Sequence, residues 1–241
     1  AIARITVFQD PFYAKAHPDE AIKHANGSLW RDKKGLHYID PKSKMFWDYI
    51  VNLAVQSERM GFDELNFDYI RFPSDGPVAQ ARFPYWNQKD QSRVEALDEF
   101  FGYLQTSLSE VGVPISADVF GLTTWQEDDL NIGQILEHVA PRFDYVAPMV
   151  YPSHYPSSFQ GFSNPAAHPY EIISTAMKRA VFRLEQIEEN PKKLRPWLQD
   201  FDLGATYDAA MIQKQIKAVE DAGLDSWMMW DPSNRYTREA Y

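Results

Sequence analysis

The sequence predicts an α/β protein of parallel strands joined by crossover helices. Three observations carry that prediction. Short apolar runs of strand length alternate along the chain with amphipathic stretches of helical period. Connections from a helix to the next strand take only a few residues, whereas those from a strand to the next helix are long, polar and aromatic. No Gly/Ser- or Pro-rich linker, internal repeat or low-complexity tract divides the chain, so residues 1–241 are expected to form a single domain.

In chain order, strands are expected at Ile2–Gln9, Glu64–Ile70, Pro114–Phe120, Tyr145–Val150, Arg195–Asp200 and Ser226–Trp230, about six in all. Helical periodicity falls between them at Lys44–Met60, Gln91–Val111, Ile132–Val139, Pro169–Glu188 and Asp208–Ala222. Gly61, Gly112 and Gly223 follow three of these stretches and suit left-handed C-caps. The longest loop, Pro11–Ser43, contains Ser28–Tyr38, which reads as a hairpin turning at Gly35. With short returns on one side and long loops on the other, function is expected at the carboxyl ends of the strands. Six strands would serve an open doubly wound sheet, but the glycine-rich nucleotide turns of that fold are missing. A closed barrel needs eight, two βα units more than this chain supplies.

Composition narrows the partners. Of 241 residues 44% are hydrophobic, enough for a large core, and 34 acidic against 24 basic residues leave a formal charge of -10. Such a surface repels nucleic acid and anionic membranes alike. No cysteine is present, which excludes disulfides and thiolate chemistry. No run of about 18 apolar residues offers a membrane span. The first residue is Ala1, which suggests a processed or partial chain.

Acidic and amide side chains stand at the ends of nearly all the expected strands. Glu64, Asn66 and Asp68 alternate with Leu65, Phe67 and Tyr69, so the polar set shares one face. Such a face is costly to bury unless it lines a polar cavity. Asp118 repeats the pattern with Ser116, and Gly121 just beyond it permits a close backbone approach. Two carboxylates on neighbouring strands can divide labour, one ionised and one donating a proton, which is the minimum apparatus for glycoside hydrolysis. Asp10, Asp200 and Asp231 also end strands, Asp231 within a good turn sequence. Trp30, Trp125, Tyr151 and Trp230 supply flat faces for stacking on sugar rings, beside Asn66, Arg71, His154 and Gln199 as hydrogen-bonding groups. The histidines lack metal-ligand spacing and no nucleophile elbow is present, so no metal and no cofactor are expected.

Phe67-Asp68-Tyr69-Ile70-Arg71-Phe72-Pro73-Ser74-Asp75-Gly76 identifies a family, supported by Ser116–Gly121, Pro148–Tyr155, Asn164–Tyr170, Arg195–Phe201 and Trp230–Asn234. Through these motifs the chain resembles an uncharacterised bacterial domain family assigned to the glycoside hydrolases, with an amylase-like (β/α)8 barrel. The resemblance implies a TIM-type barrel that is incomplete here, the first two βα units missing and Ile2–Gln9 standing as the third strand. It also implies Asp68 as nucleophile at the end of the fourth strand and Asp118 as acid/base at the end of the fifth.

The expectation is thus a hydrolase cutting a glycosidic bond in a poly- or oligosaccharide, extracellular or in the cell envelope, with Asp68 and Asp118 as its working pair and retention of configuration. One rival pairs Asp68 with His154 or Asp200 instead. Another is a non-catalytic glycan-binding barrel of the cell envelope. The exposed edges of an incomplete barrel, Ile2–Gln9 and Ser226–Trp230, would favour edge-to-edge association.

Overall fold

The computed structural model describes residues 1–241, in two compact units: Ala1–Asp118 with Asp128–Asp144, and Val119–Glu127 with Tyr145–Tyr241. In the first unit, strands β1 (Ile2–Thr6), β2 (Glu64–Asp68) and β3 (Ile115–Phe120, whose last two residues belong to the second unit) run parallel in that order. Ile2 lies opposite Glu64, Arg4 opposite Asn66, Thr6 opposite Asp68, and Asn66 opposite Ser116. Because side chains alternate along each strand, this register puts Arg4, Thr6, Glu64, Asn66, Asp68, Ser116 and Asp118 on one face. Ala3, Ile5, Leu65, Phe67, Ile115 and Ala117 occupy the other and are buried.

Helices cover that apolar face. In α2 (Lys44–Arg59) Phe46, Ile50 and Ala54 recur every fourth residue and are buried with Trp47. In α3 (Arg93–Ser107) Ala96, Leu97, Phe100, Phe101 and Leu104 do the same. Both begin where short polar side chains satisfy orphan amides: Ser43 accepts from Phe46 N, and Ser92 forms a capping box with Glu95. Phe8 packs on Phe100 at 4.9 Å and Phe101 on Phe143 at 5.6 Å, the aromatic centre of this core.

Four expectations change here. A short helix, α1 (Pro11–Ala16), interrupts the first loop, its amides capped by Asp10 and its first turn set by Pro11. The stretch expected to be helical from Ile132 condenses to α4 (Leu136–Val139), because Leu130, Asn131 and Gly133 all hold positive φ around Asp129. The Ser28–Tyr38 segment does turn tightly, Asp32 N donating to Leu36 O, but its arms do not pair with each other. Instead, Trp30 N donates to Ile22 O and Ile22 N to Tyr38 O, so residues 20–24 run between them. Of the expected glycine stops, Gly61 and Gly223 have positive φ and Gly112 does not.

The second unit carries β4 (Tyr145–Met149), β5 (Trp197–Gln199) and β6 (Met228–Trp230), each parallel to its neighbour. The last two strands are shorter than expected, although single backbone bonds continue past the ends of β5: Met228 N donates to Pro196 O and Asp200 N to Trp230 O. Helices α5 (Pro169–Gln186) and α6 (Ala209–Asp221) pack along each other. Gly121 meets Met149 so closely that a Cβ there would lie 2.3 Å from the Met149 carbonyl oxygen. β1 pairs only with β2 and β6 only with β5, so both are edge strands, as the sequence suggests. No helix is long and apolar enough to cross a membrane.

Candidate active site

The polar face of the first unit gathers at the carboxyl ends of β2 and β3. Asp68 is the last residue of β2, and the next residue, Tyr69, holds φ 53, a left-handed conformation that side chains other than glycine, asparagine and aspartate seldom adopt. Backbone held in such a region marks a place over-determined by its surroundings, and active sites collect them. Here the bend turns the Tyr69 amide back onto Asp68 Oδ1, at 2.7 Å. Asp68 Oδ2 accepts a hydrogen bond from Arg4 Nη2. Asp118 sits beside it on β3, its Oδ1 accepting from Asn66 Nδ2 at 3.0 Å and its Oδ2 lying 3.7 Å from Arg4 Nε. Both carboxylates therefore share one face and one guanidinium, with relative exposures of only 3% and 2%.

Behind them the face continues as a buried chain. Asn66 Nδ2 also donates to Ser116 Oγ at 3.0 Å, and Ser116 Oγ donates to Glu64 at 2.6 Å. Asn66 was expected to touch substrate; at 1% exposure its amide is spent on Asp118 and Ser116, so its effect on a ligand is through Asp118. Its Oδ1 is buried with no donor.

The other sequence candidates divide. Arg71 lies over the Tyr69 ring at 4.9 Å and donates to Ser74 Oγ at 2.9 Å, bracing the bend after Asp68. Asp10 is the N-cap of α1, its Oδ1 accepting from the amides of Phe12 and Tyr13, each at 2.9 Å. Trp30 is fully buried, its indole donating to Pro77 O at 3.1 Å, and offers no face to a sugar. An aromatic in a long loop looked like a platform from sequence, but the loop folds back and makes it core.

In the second unit, Tyr151, His154 and Phe201 form an aromatic cluster with centroids 5.1 to 6.1 Å apart, and burial pushes the His154 pKa down, favouring its neutral form. Gln199 is enclosed: its Oε1 accepts from Ser153 Oγ at 2.8 Å and its Nε2 donates to Phe201 O at 2.9 Å. It braces the loop that carries His154. Asp200 accepts from Thr237 N, Thr237 Oγ1 and Tyr241 Oη, each at 2.8 Å, and so anchors the last residues of the chain. Asp231 accepts from the amides of Ser233 and Arg235, the turn its sequence suggests. Trp125 packs edge-on to Phe159 and Trp230 edge-on to Trp197; both remain partly exposed.

Sequence reasoning missed Arg4. The signal was there: one charge in the apolar run Ile2–Phe8, at even spacing with Thr6 and out of step with Ala3, Ile5 and Val7. What the sequence does not contain is the register that sets Arg4 against Asn66.

Residues 1–236 match the model of a family described as "Putative glycosyl hydrolase domain". The chain belongs to this family. No curated protein matches it. Among solved structures, a hypothetical protein from Ruminiclostridium thermocellum ATCC 27405 is 36% identical over 49% of this chain and 57% of its own, with a TM-score of 0.42. The chain thus spans little more than half of that protein's length. The glycoside hydrolase domain of PgaB (BpsB) from Bordetella bronchiseptica is similar over 95% of this chain and 70% of its own, with a TM-score of 0.64 at 15% identity. Catalytic domain 2 of an Ostrinia furnacalis Group II chitinase, solved in complex with (NAG)5, is similar over 82% and 68%, with a TM-score of 0.53 at 12% identity. At such identities the likeness is one of fold, the TIM-like α/β barrel fold of carbohydrate-acting enzymes.

Proposed function

We propose that this family member is a glycoside hydrolase that cuts a glycosidic bond in a poly- or oligosaccharide, with Asp68 as nucleophile and Asp118 as acid/base. The observation that carries this reading is the pair of carboxylates, nearly excluded from water, at neighbouring positions on the carboxyl ends of adjacent parallel strands. Adjacent strands lie about 4.8 Å apart. Retaining enzymes hold their two carboxyls about 5 to 5.5 Å apart, inverting ones about 6.5 to 9.5 Å apart to admit a water. The pair therefore favours retention. Asp68 is taken as the nucleophile because a cationic donor from Arg4 and an amide donor from Tyr69 both fix its carboxylate in place. Asp118 accepts at Oδ1 from the neutral amide of Asn66, has Arg4 Nε 3.7 Å from its Oδ2, and takes the acid/base role in this reading.

In the first step an Asp68 oxygen attacks the anomeric carbon while Asp118 protonates the departing oxygen. In the second, Asp118 takes a proton from the water that releases the sugar. The test is to incubate the protein with a panel of bacterial and plant glycans and follow the anomeric protons of the first-formed product by NMR. Retention is expected. Inversion would leave Asp68 as a base acting through water, and glycans bound tightly but left uncut would favour a binding module instead.

A further inference from the structure

We propose that Arg4 is the fixed counter-charge of the Asp68–Asp118 pair, a positioning residue that neutralises whichever carboxylate is ionised at each stage of the two-step displacement. This deepens the retaining reading above and rests on it.

The geometry is a matter of register. Arg4 sits on β1 opposite Asn66, two residues short of the level of Asp68, so its side chain reaches forward along the strands. The planar fork then serves two acids with different nitrogens, Nη2 to Asp68 and Nε towards Asp118. A single ammonium on lysine has no such spread of donors. The titratable groups facing Arg4 are Asp68 and Tyr69 at the end of β2, Asp118 on β3 and, further back on the same face of β2, Glu64. Burial works against the guanidinium charge, but Asp68 and then Asp118 outweigh it and hold its pKa above the usual arginine value. Arg4 is a permanent cation.

The reaction needs one such charge throughout. With substrate bound, Asp68 is a carboxylate and Asp118 a carboxylic acid, so the pair carries one negative charge. As the Asp68 oxygen bonds to the anomeric carbon, the bond to the leaving oxygen breaks and that oxygen takes the Asp118 proton. Asp68 is now a neutral ester and Asp118 a carboxylate: again one negative charge. Water then bonds to the anomeric carbon, its proton passes to Asp118, and the ester electron pair returns to Asp68. At every stage the one anion of the pair faces one cation, hydrogen-bonded to Asp68 and 3.7 Å from Asp118, so neither member of the pair is left ionised without a counter-charge.

The experiment uses no sugar. Asp carboxyl carbons are followed through a pH titration by NMR in the wild type, Arg4→Gln, Asp68→Asn and the double variant, with Asp68→Asn standing in for the neutral esterified form. Losing Arg4 should raise the titration midpoint of Asp118, and the rise should be larger in the Asp68→Asn background, by about one pH unit, because the guanidinium is then no longer shared with an ionised Asp68. An equal or smaller rise in that background overturns the proposal. If Arg4→Gln unfolds the chain by circular dichroism, Arg4→Lys is compared in the same two backgrounds: a loss of Asp118 stabilisation that grows with Asp68→Asn supports the shared fork, and one that does not grow overturns it. A chain that cuts no glycan can still pass or fail, so failure here is separable from failure of the hydrolase reading.

Discussion

Asp68 and Asp118 are chemically identical side chains whose neighbours set them different tasks, and substitution should separate the tasks. In the active enzyme, Asp68→Asn keeps the shape of the side chain and removes the attacking carboxylate, so turnover should all but vanish while the glycan still binds. Asp118→Asn should cost about 10²- to 10⁴-fold on a natural linkage and much less on an aryl glycoside, whose leaving group needs little protonation. Comparing kcat on the two substrates checks this; equal losses on both would remove Asp118 from the acid role. The sequence exposed these two residues because acids at the ends of apolar strands are conspicuous. It did not separate Trp30 from the partly exposed Trp125 and Trp230, since loop composition says nothing about how far a loop folds back over itself.

Elements hold those residues in place through contacts that can be tested one at a time. Gly121 directly follows β3 and lies against the Met149 carbonyl, and Gly121→Ala would put a methyl group 2.3 Å from that oxygen. The backbone must shift, at a cost of about 1 to 3 kcal/mol, to be read from denaturant unfolding. An unchanged midpoint would mean that the backbone at Met149 gives way at little cost. A second contact ties α3 to the start of α2: Glu99 accepts from Lys42 and, at 2.5 Å, from Lys44. Burial would raise its pKa, but the hydrogen bonds from Lys42, Lys44 and Gln91 prevail and lower it from 4.5 to about 2. A depressed carboxylate contributes stability above its unfolded pKa and loses it as pH falls through the folded one. Glu99→Gln should therefore lower stability at pH 7 and flatten its decline between pH 4.5 and about 2, measured by unfolding at a series of pH values. An unaltered decline would assign acid sensitivity elsewhere. Element order and the long helices were legible from period and capping residues. The short helix α1, the positive-φ run before α4 and the pairing of residues 20–24 were not, because local capping and non-local bridges decide them.

Across the whole molecule, two forces oppose each other at its open strands. β1 pairs on one side only, with Ile2 at 42% exposure, and β6 likewise pairs only with β5. Unpaired strand backbone invites addition of another strand. Against this, a net charge of -10 repels a second copy at long range, and that repulsion fades as salt shortens the Debye length to about 3 Å at 1 M. The isolated chain should therefore self-associate with rising concentration, and more at high salt than at low, as followed by sedimentation velocity. Arg4 on β1 is a charge of the kind that blunts edges, and Ile2→Lys would add a second one to the same strand. That substitution also makes the net charge less negative, which by itself would ease association. If Ile2→Lys nonetheless weakens it, the edge and not the overall charge is the contact; a chain that stays monomeric at every concentration and salt, or a variant that associates as the parent does, would show that β1 is not the sticking surface.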